Sequence, residues 1–96
     1  MIGVGNFILG QVAVTRTIND LLITDSKFNL EYMSAFIRYC QMDWGDMCMT
    51  DKRMNDDAVR NGNDRIFAAY NTSRGKIYII TEWDRSATTV LFADEY

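Results

Sequence analysis

Lys76-Ile-Tyr-Ile-Ile-Thr-Glu-Trp-Asp-Arg-Ser-Ala-Thr-Thr-Val-Leu-Phe92 decides the fold. Both ends are rich in Ile, Tyr, Thr, Val and Phe, side chains that fit a pleated surface, and the intervening Asp84-Arg85-Ser86-Ala87 is short enough for a hairpin. Upstream, Arg65 to Asn71 has the same character and meets Lys76 through Thr72-Ser73-Arg74-Gly75. Three strands, Arg65 to Asn71, Lys76 to Trp83 and Thr88 to Phe92, are therefore expected to form an antiparallel meander.

Before Gly62 the period is helical. From Asn29 the apolar positions Leu30, Met33, Phe36, Ile37 and Cys40 recur at helical spacing, with Asn29 as N-cap and Glu31 favourable in the first turn; this predicts a helix near 30–40. Thr50 as N-cap and Asp51 against the helix dipole open another, running to about Asn61, where Gly62 can take the left-handed conformation that ends it. Between them Asp43-Trp44-Gly45-Asp46 reads as a turn. Further upstream, Asn6 to Val14 reads as a short strand or extended arm turning at Gly10, and Thr15 or Thr17 caps a short helix through Leu22 that Asp25-Ser26-Lys27 interrupts. The expected class is α+β: an N-terminal short strand or arm and helices packed on one face of a C-terminal three-stranded antiparallel β-meander, in a single domain over 1–96.

A chain of 96 residues can bury roughly 60 to 65% of its unfolded surface and needs no metal or disulfide to fold. No apolar run approaches the roughly 20 residues that span a bilayer. Met1 to Gly10 has neither the basic start nor the long apolar run of a secretory signal, so a cytoplasmic setting is expected. With no histidine, the commonest general base is missing, and Ser-His-Asp and Cys-His chemistry are excluded. Cys40 and Cys48 are too few and too poorly spaced for a tetrahedral zinc site, and read as two reduced, mostly buried thiols; no cofactor or metal is implied.

The net charge of -3 is unevenly placed. Charges cancel in residues 1–40 and in 65–96. Between them, Asp43, Asp46, Asp51, Asp56, Asp57 and Asp64 outweigh Lys52, Arg53 and Arg60. A direct nucleic-acid binder needs a basic stripe that releases counterions from phosphates, and none is visible. The acidic segment instead suggests a protein-binding surface built from Asp43, Trp44, Asp46, Asp56, Asp57 and Asp64. Trp44 fits an interface anchor, or equally a turn whose ring packs inward while the Asp side chains cap. On a helix, Asp51, Asp56 and Asp57 point in different directions, so a local acidic patch is a better reading than mimicry of a nucleic acid. The methionines clustered in the central third, Met47 and Met49 among them, fit core gaps or a partner surface.

Glu82, Asp84, Arg85 and Thr88 form a second cluster. Glu-x-Asp on one strand face could serve as an acid/base pair or a divalent-cation site, but Arg85 is a natural countercharge, and a structural polar cluster is the preferred reading.

These motifs resemble a group of small proteins encoded on bacterial plasmids, integrative elements and phages. The resemblance rests on Leu9-Gly10-Gln11-Val12, Asp43-Trp44-Gly45-Asp46, Asp51-Lys52 with Asn55, Gly62, Arg65-Ile66 with Ala69-Tyr70, Ile80 to Leu91 and Glu95-Tyr96. It covers roughly residues 7–96; it departs between Leu22 and Met42, and at Trp83, where a small residue is expected. The group implies a setting rather than a reaction: genes on mobile elements that help them survive host defence. The implied function is an inhibitor of CRISPR-Cas or restriction in a bacterial cytoplasm, whose partner is a nucleic-acid-processing protein effector, with no direct nucleic acid or membrane contact. A regulatory or accessory protein of the element is the alternative, and a small metal-dependent enzyme using Glu82 and Asp84 the third. Should the acidic segment not be the contact surface, the aromatic helix with Tyr32, Phe36 and Tyr39 is next in line.

Overall fold

The computed structural model describes residues 7–96. The readings of residues 1–6, as the start of an arm and as part of a stretch unlike a secretory signal, lie outside them. In chain order the elements are β1 (Gln11–Val14), α1 (Arg16–Thr24), α2 (Ser26–Cys40), α3 (Met49–Asn61), β2 (Ile66–Thr72), β3 (Gly75–Thr81), β4 (Ala87–Phe92) and a single 3-10 turn, Ala93–Glu95. The class is α+β, and β2, β3 and β4 form the expected antiparallel meander. The N-terminal strand adds something the periodicity did not show: β1 pairs in parallel with β4, giving a mixed sheet of order β1-β4-β3-β2.

Cross-strand pairs place Ile66, Ala68 and Tyr70 opposite Thr81, Ile79 and Ile77, and those opposite Thr88, Val90 and Phe92. All nine are buried. They form one sheet face, and α2 packs on it through Phe28, Ala35 and Tyr39, spaced to fall on one side of a helix. Ile18 of α1 and Ala58 of α3 join the same core. Burying one such large side chain is worth about 1.5–3 kcal/mol, so this face dominates the favourable side of folding. On the opposite face Phe67, Tyr78 and Tyr96 pack edge-to-face or tilted against one another, with centroids 4.7 to 5.7 Å apart.

Several local expectations need correction. Helix α2 starts one turn early, because Asp25 serves two helices: its backbone N–H donates to Leu21 O (2.9 Å), ending α1, and its Oδ1 accepts from Phe28 N (3.1 Å), starting α2. Asn29, expected as the cap, lies inside α2 and donates from Nδ2 to Leu22 O. Of the apolar positions expected on the packing face of α2, Cys40 is buried and Phe36 packs against the core, but the other three do not. Leu30, Met33 and Ile37 are 70, 52 and 56% exposed, while Tyr39 is fully buried and Tyr32 and Phe36 pack half-buried against the core, so these aromatics are largely committed to the fold. Helix α3 begins at Met49 with Cys48 at the cap position, leaving Thr50 inside it; Gly62 ends it as expected, at φ 66°. Strand β3 stops at Thr81, so Glu82 and Asp84 lie in the β3–β4 turn, and the premise that they share a strand face fails.

The β2–β3 turn is tied to the α1–α2 joint. Arg74 Nε donates to Asp25 Oδ2 (2.6 Å), and Ser73 donates from N and Oγ to the Glu31 carboxylate. The Phe28 N–H and then Arg74 hold the Asp25 carboxyl below its ordinary range. Asp43 is lowered first by Arg38, Asp46 first by Lys76, Asp84 by Ser86, and Glu95 first by the Phe92 N–H. Each of these groups binds a proton more weakly in the folded state than in the unfolded one. Their contribution is thus present above the unfolded carboxylate range near pH 4 and lost as pH falls through the lower folded values. With no histidine to titrate above that, the urea midpoint should stay flat from pH 7 to about 5 and drop steeply below about 4. A fall between pH 7 and 5 would refute this assignment.

Candidate functional site

The acidic segment wraps the free edge of β2, and most of its chemistry is spent there. An outer strand presents unpaired N–H and C=O groups, which must be covered or they recruit another strand. Here the turn after α2 and the middle of α3 cover them. Ala69 donates to Trp44 O (3.4 Å) and accepts from Asp46 N (2.7 Å). Two residues earlier along β2, Asn55, which is 4% exposed, places its side-chain amide against Phe67: Nδ2 donates to Phe67 O (2.8 Å) and Oδ1 accepts from Phe67 N (3.1 Å). The asparagine amide thereby stands in for a neighbouring peptide unit.

Around this seal the six candidate residues take different roles. Asp43 forms a two-pronged pair with Arg38 (2.8 and 3.2 Å) and accepts from Gly45 N, while its carbonyl accepts from Tyr70 Oη (2.7 Å). Asp46 pairs with Lys76 (3.1 Å). Trp44 is 2% exposed; its ring meets Tyr39 edge-on at 5.5 Å and its Nε1 donates to Asp56 Oδ1 (2.9 Å). Trp44 is therefore an anchor for the turn, and its ring is withdrawn from any partner. The Asp57–Arg60 pair lies in solvent, and Asp64 Oδ1 accepts from Arg65 N.

Within residues 41–64, three carboxylates remain without a cationic partner among the described residues: Asp51, Asp56 and Asp64. Asp51 and Asp64 flank a pocket of about 340 Å³ between α3 and the start of β2, whose apolar lining includes Met47, Met54, Phe67 and Tyr96. Arg65 closes one side, with its guanidinium 5.3 Å over the Phe67 ring and Nη1 donating to Tyr96 Oη (3.0 Å). Met54, in its lining, is exposed to solvent, as is Met49 at the start of α3. In the sequence Asp51 is one of several scattered acids, because nothing in α3 shows that Tyr96 and Phe67 line the same pocket.

The ion-pair reading of Glu82, Asp84, Arg85 and Thr88 needs correction, since no Arg85–carboxylate pair forms among the described residues. Arg85, at φ 61°, turns away from the Glu82 and Asp84 carboxylates and donates to four backbone carbonyls: Asp64, Glu82 and Trp83 through Nη1, and Ala58 through Nη2 (2.7 Å). It clamps the end of α3 onto the β3–β4 turn. Asp84 Oδ1 accepts from Ser86 N. Thr88 belongs to a different network altogether. It donates to Leu9 O (2.7 Å), so Thr81, at 2.7 Å, must donate to Thr88, and Tyr39 Oη, at 2.6 Å, must donate to Thr81. This one-way chain of buried hydroxyls ties α2, β3, β4 and the segment before β1 together, and burial pushes the Tyr39 hydroxyl well above its ordinary pKa.

Of the two thiols, Cys40 is buried, whereas Cys48 is exposed, contrary to the expectation that both would be mostly buried. Among the described residues no group of three or more Cys, Asp or Glu is arranged to hold a metal ion, and no helix is long and apolar enough to cross a membrane. No protein-family model, curated protein or solved structure matches the chain.

Proposed function

We propose that this protein is a mobile-element-encoded inhibitor of host defence, of the anti-CRISPR or anti-restriction kind, that binds a nucleic-acid-processing effector through its acidic α3 flank. The observation that carries the reading is the pocket in which the unpaired Asp51 and Asp64 border Met47, Met54, Phe67 and Tyr96. Arg65 also lines the pocket but its guanidinium is held over Phe67 and on Tyr96, so the two carboxylates leave a net negative charge that, beside apolar and aromatic walls, suits a lysine or arginine side chain. Effectors that handle nucleic acid carry such side chains in their channels and on the surfaces that read short DNA motifs. The resemblance to plasmid and phage proteins supplies the biological setting.

The contact surface is accordingly narrower than the acidic segment as a whole. Asp43, Asp46 and Asp56 hold the edge turn, so reversing them would test folding rather than binding. The informative variant is Asp51→Lys with Asp57→Lys and Asp64→Lys, all three exposed. Against an effector captured from a host with active CRISPR-Cas and restriction systems, this triple variant should associate at least about 10-fold more slowly, because complementary charge steers encounter. The wild-type rate should also fall as salt rises from about 0.05 to 0.5 M and the Debye length shrinks. A folded triple variant with an unchanged association rate would refute the assignment.

A further inference from the structure

The outward pole of α2 carries no charge. Opposite the buried Phe28, Ala35 and Tyr39, a helical projection places Ser26, Leu30, Met33, Ser34 and Ile37, with Gln41 at the C-cap, and all six are exposed. A solvent-facing helix pole is ordinarily its most charged side. Here Lys27, Glu31 and Arg38 all fall to one flank, and Glu31 and Arg38 are already engaged by Ser73 and Asp43.

The order of residues along this pole is also self-complementary. Leu30 and Ile37 are equidistant from the midpoint between Met33 and Ser34, and so are Ser26 and Gln41. If a second α2 is laid antiparallel across that midpoint, Leu30 meets Ile37 of the other copy, Met33 meets Ser34, and Ser26 meets Gln41. Large aliphatics face each other, a long flexible side chain faces a small one, and the polar ends coincide. This is the pattern of a two-fold interface, in which one patch matches itself.

We infer that the protein forms a symmetric dimer through antiparallel pairing of α2 with α2 of a second copy. An effector built to hold phosphates would select charge on its partner, whereas an uncharged, palindromic strip matches itself best. The helix is about 22 Å long, so the pair buries on the order of 1,000 Å² in total, at the low end for specific interfaces, and a micromolar dissociation constant is expected. This inference does not depend on the proposed inhibitor function.

Sedimentation of the purified chain from about 5 to 500 μM should show a reversible monomer–dimer equilibrium in that range. Ile37→Glu should abolish the dimer while leaving the circular dichroism spectrum unchanged, since Ile37 is 56% exposed. Leu30→Glu and Ile37→Lys should each be monomeric alone, and mixing them should restore a heterodimer, because position 30 of one copy faces position 37 of the other. A wild-type protein monomeric throughout this range overturns the inference, as does an Ile37→Glu variant that still dimerises. Failure of the mixture to associate overturns the antiparallel register.

Discussion

Gly45→Ala should be among the most damaging single substitutions in the chain, destabilising it by at least about 3 kcal/mol and lowering the thermal midpoint by more than about 12 °C. Gly45 has φ 74°, and it bridges Ala69 directly. A methyl group there would press into the Ala69 carbonyl oxygen and lie 2.7 Å from Tyr70 Cδ1. The first neighbour is backbone of the strand being sealed, so it cannot swing aside as the end of a long side chain could. Relief requires the turn to lift off β2, which breaks both Ala69 hydrogen bonds and uncovers Trp44. Gly62→Ala is the control that separates sterics from backbone conformation. Gly62 has φ 66°, yet nothing lies within 4 Å of an added methyl group, so the cost there should be only the left-handed penalty of about 1–2 kcal/mol. Thermal unfolding of the two variants side by side reads the difference; equal losses would mean that the close approach to Ala69 carries no weight.

The contrast between these glycines shows what the sequence could and could not convey. Gly62 was legible because its role is local: a helix ended by a left-handed residue leaves its signature within a few positions. Strands β2, β3 and β4 were legible for the same reason, through alternation and short turns. What failed to show was contact at a distance. The parallel pairing of β1 with β4 joins residues 76 positions apart, as in Gln11 with Ala87, and neither strand's composition names its neighbour. The packing face of α2 was misjudged because both of its faces are apolar: Phe28, Tyr32, Ala35 and Tyr39 compete with Leu30, Met33 and Ile37 for the same periodicity, and only the tertiary fold decides between them. In the Glu82–Arg85 turn, charge complementarity suggested an ion pair, whereas the geometry gives the guanidinium to carbonyls that no sequence pattern marks.

The same distinction bears on the motif residues. Asp43-Trp44-Gly45-Asp46, Asn55, Gly62, Arg85 and Thr88 each make a hydrogen bond or turn that positions an element of the fold.

Asn55→Ala provides the second large expected effect. The substitution strips both partners from Phe67 and leaves a backbone donor and acceptor stranded in a part-buried site, which should cost about 2–4 kcal/mol. Hydrogen exchange at the Phe67 amide should accelerate along with the loss in midpoint. The opened edge belongs to Ile66-Phe-Ala-Ala-Tyr70, an apolar strand, so light scattering on mild heating should rise above that of the wild type. Asn55→Asp separates the two bonds. A carboxylate can still accept from Phe67 N, but it also confronts Phe67 O with a second acceptor, and its charge is buried; both effects raise the folded-state pKa above the unfolded one. A group shifted in that direction favours the folded state only below its unfolded pKa, and the benefit disappears as pH rises through the folded value. Asn55→Asp should therefore be clearly less stable than the wild type at pH 7 and approach it toward pH 4, where the protonated acid can donate to Phe67 O. Asn55→Ala has no such group, and its deficit should be the same at both pH values. If the two variants showed the same pH dependence, the edge of β2 would not be held by the paired donor and acceptor of a neutral amide.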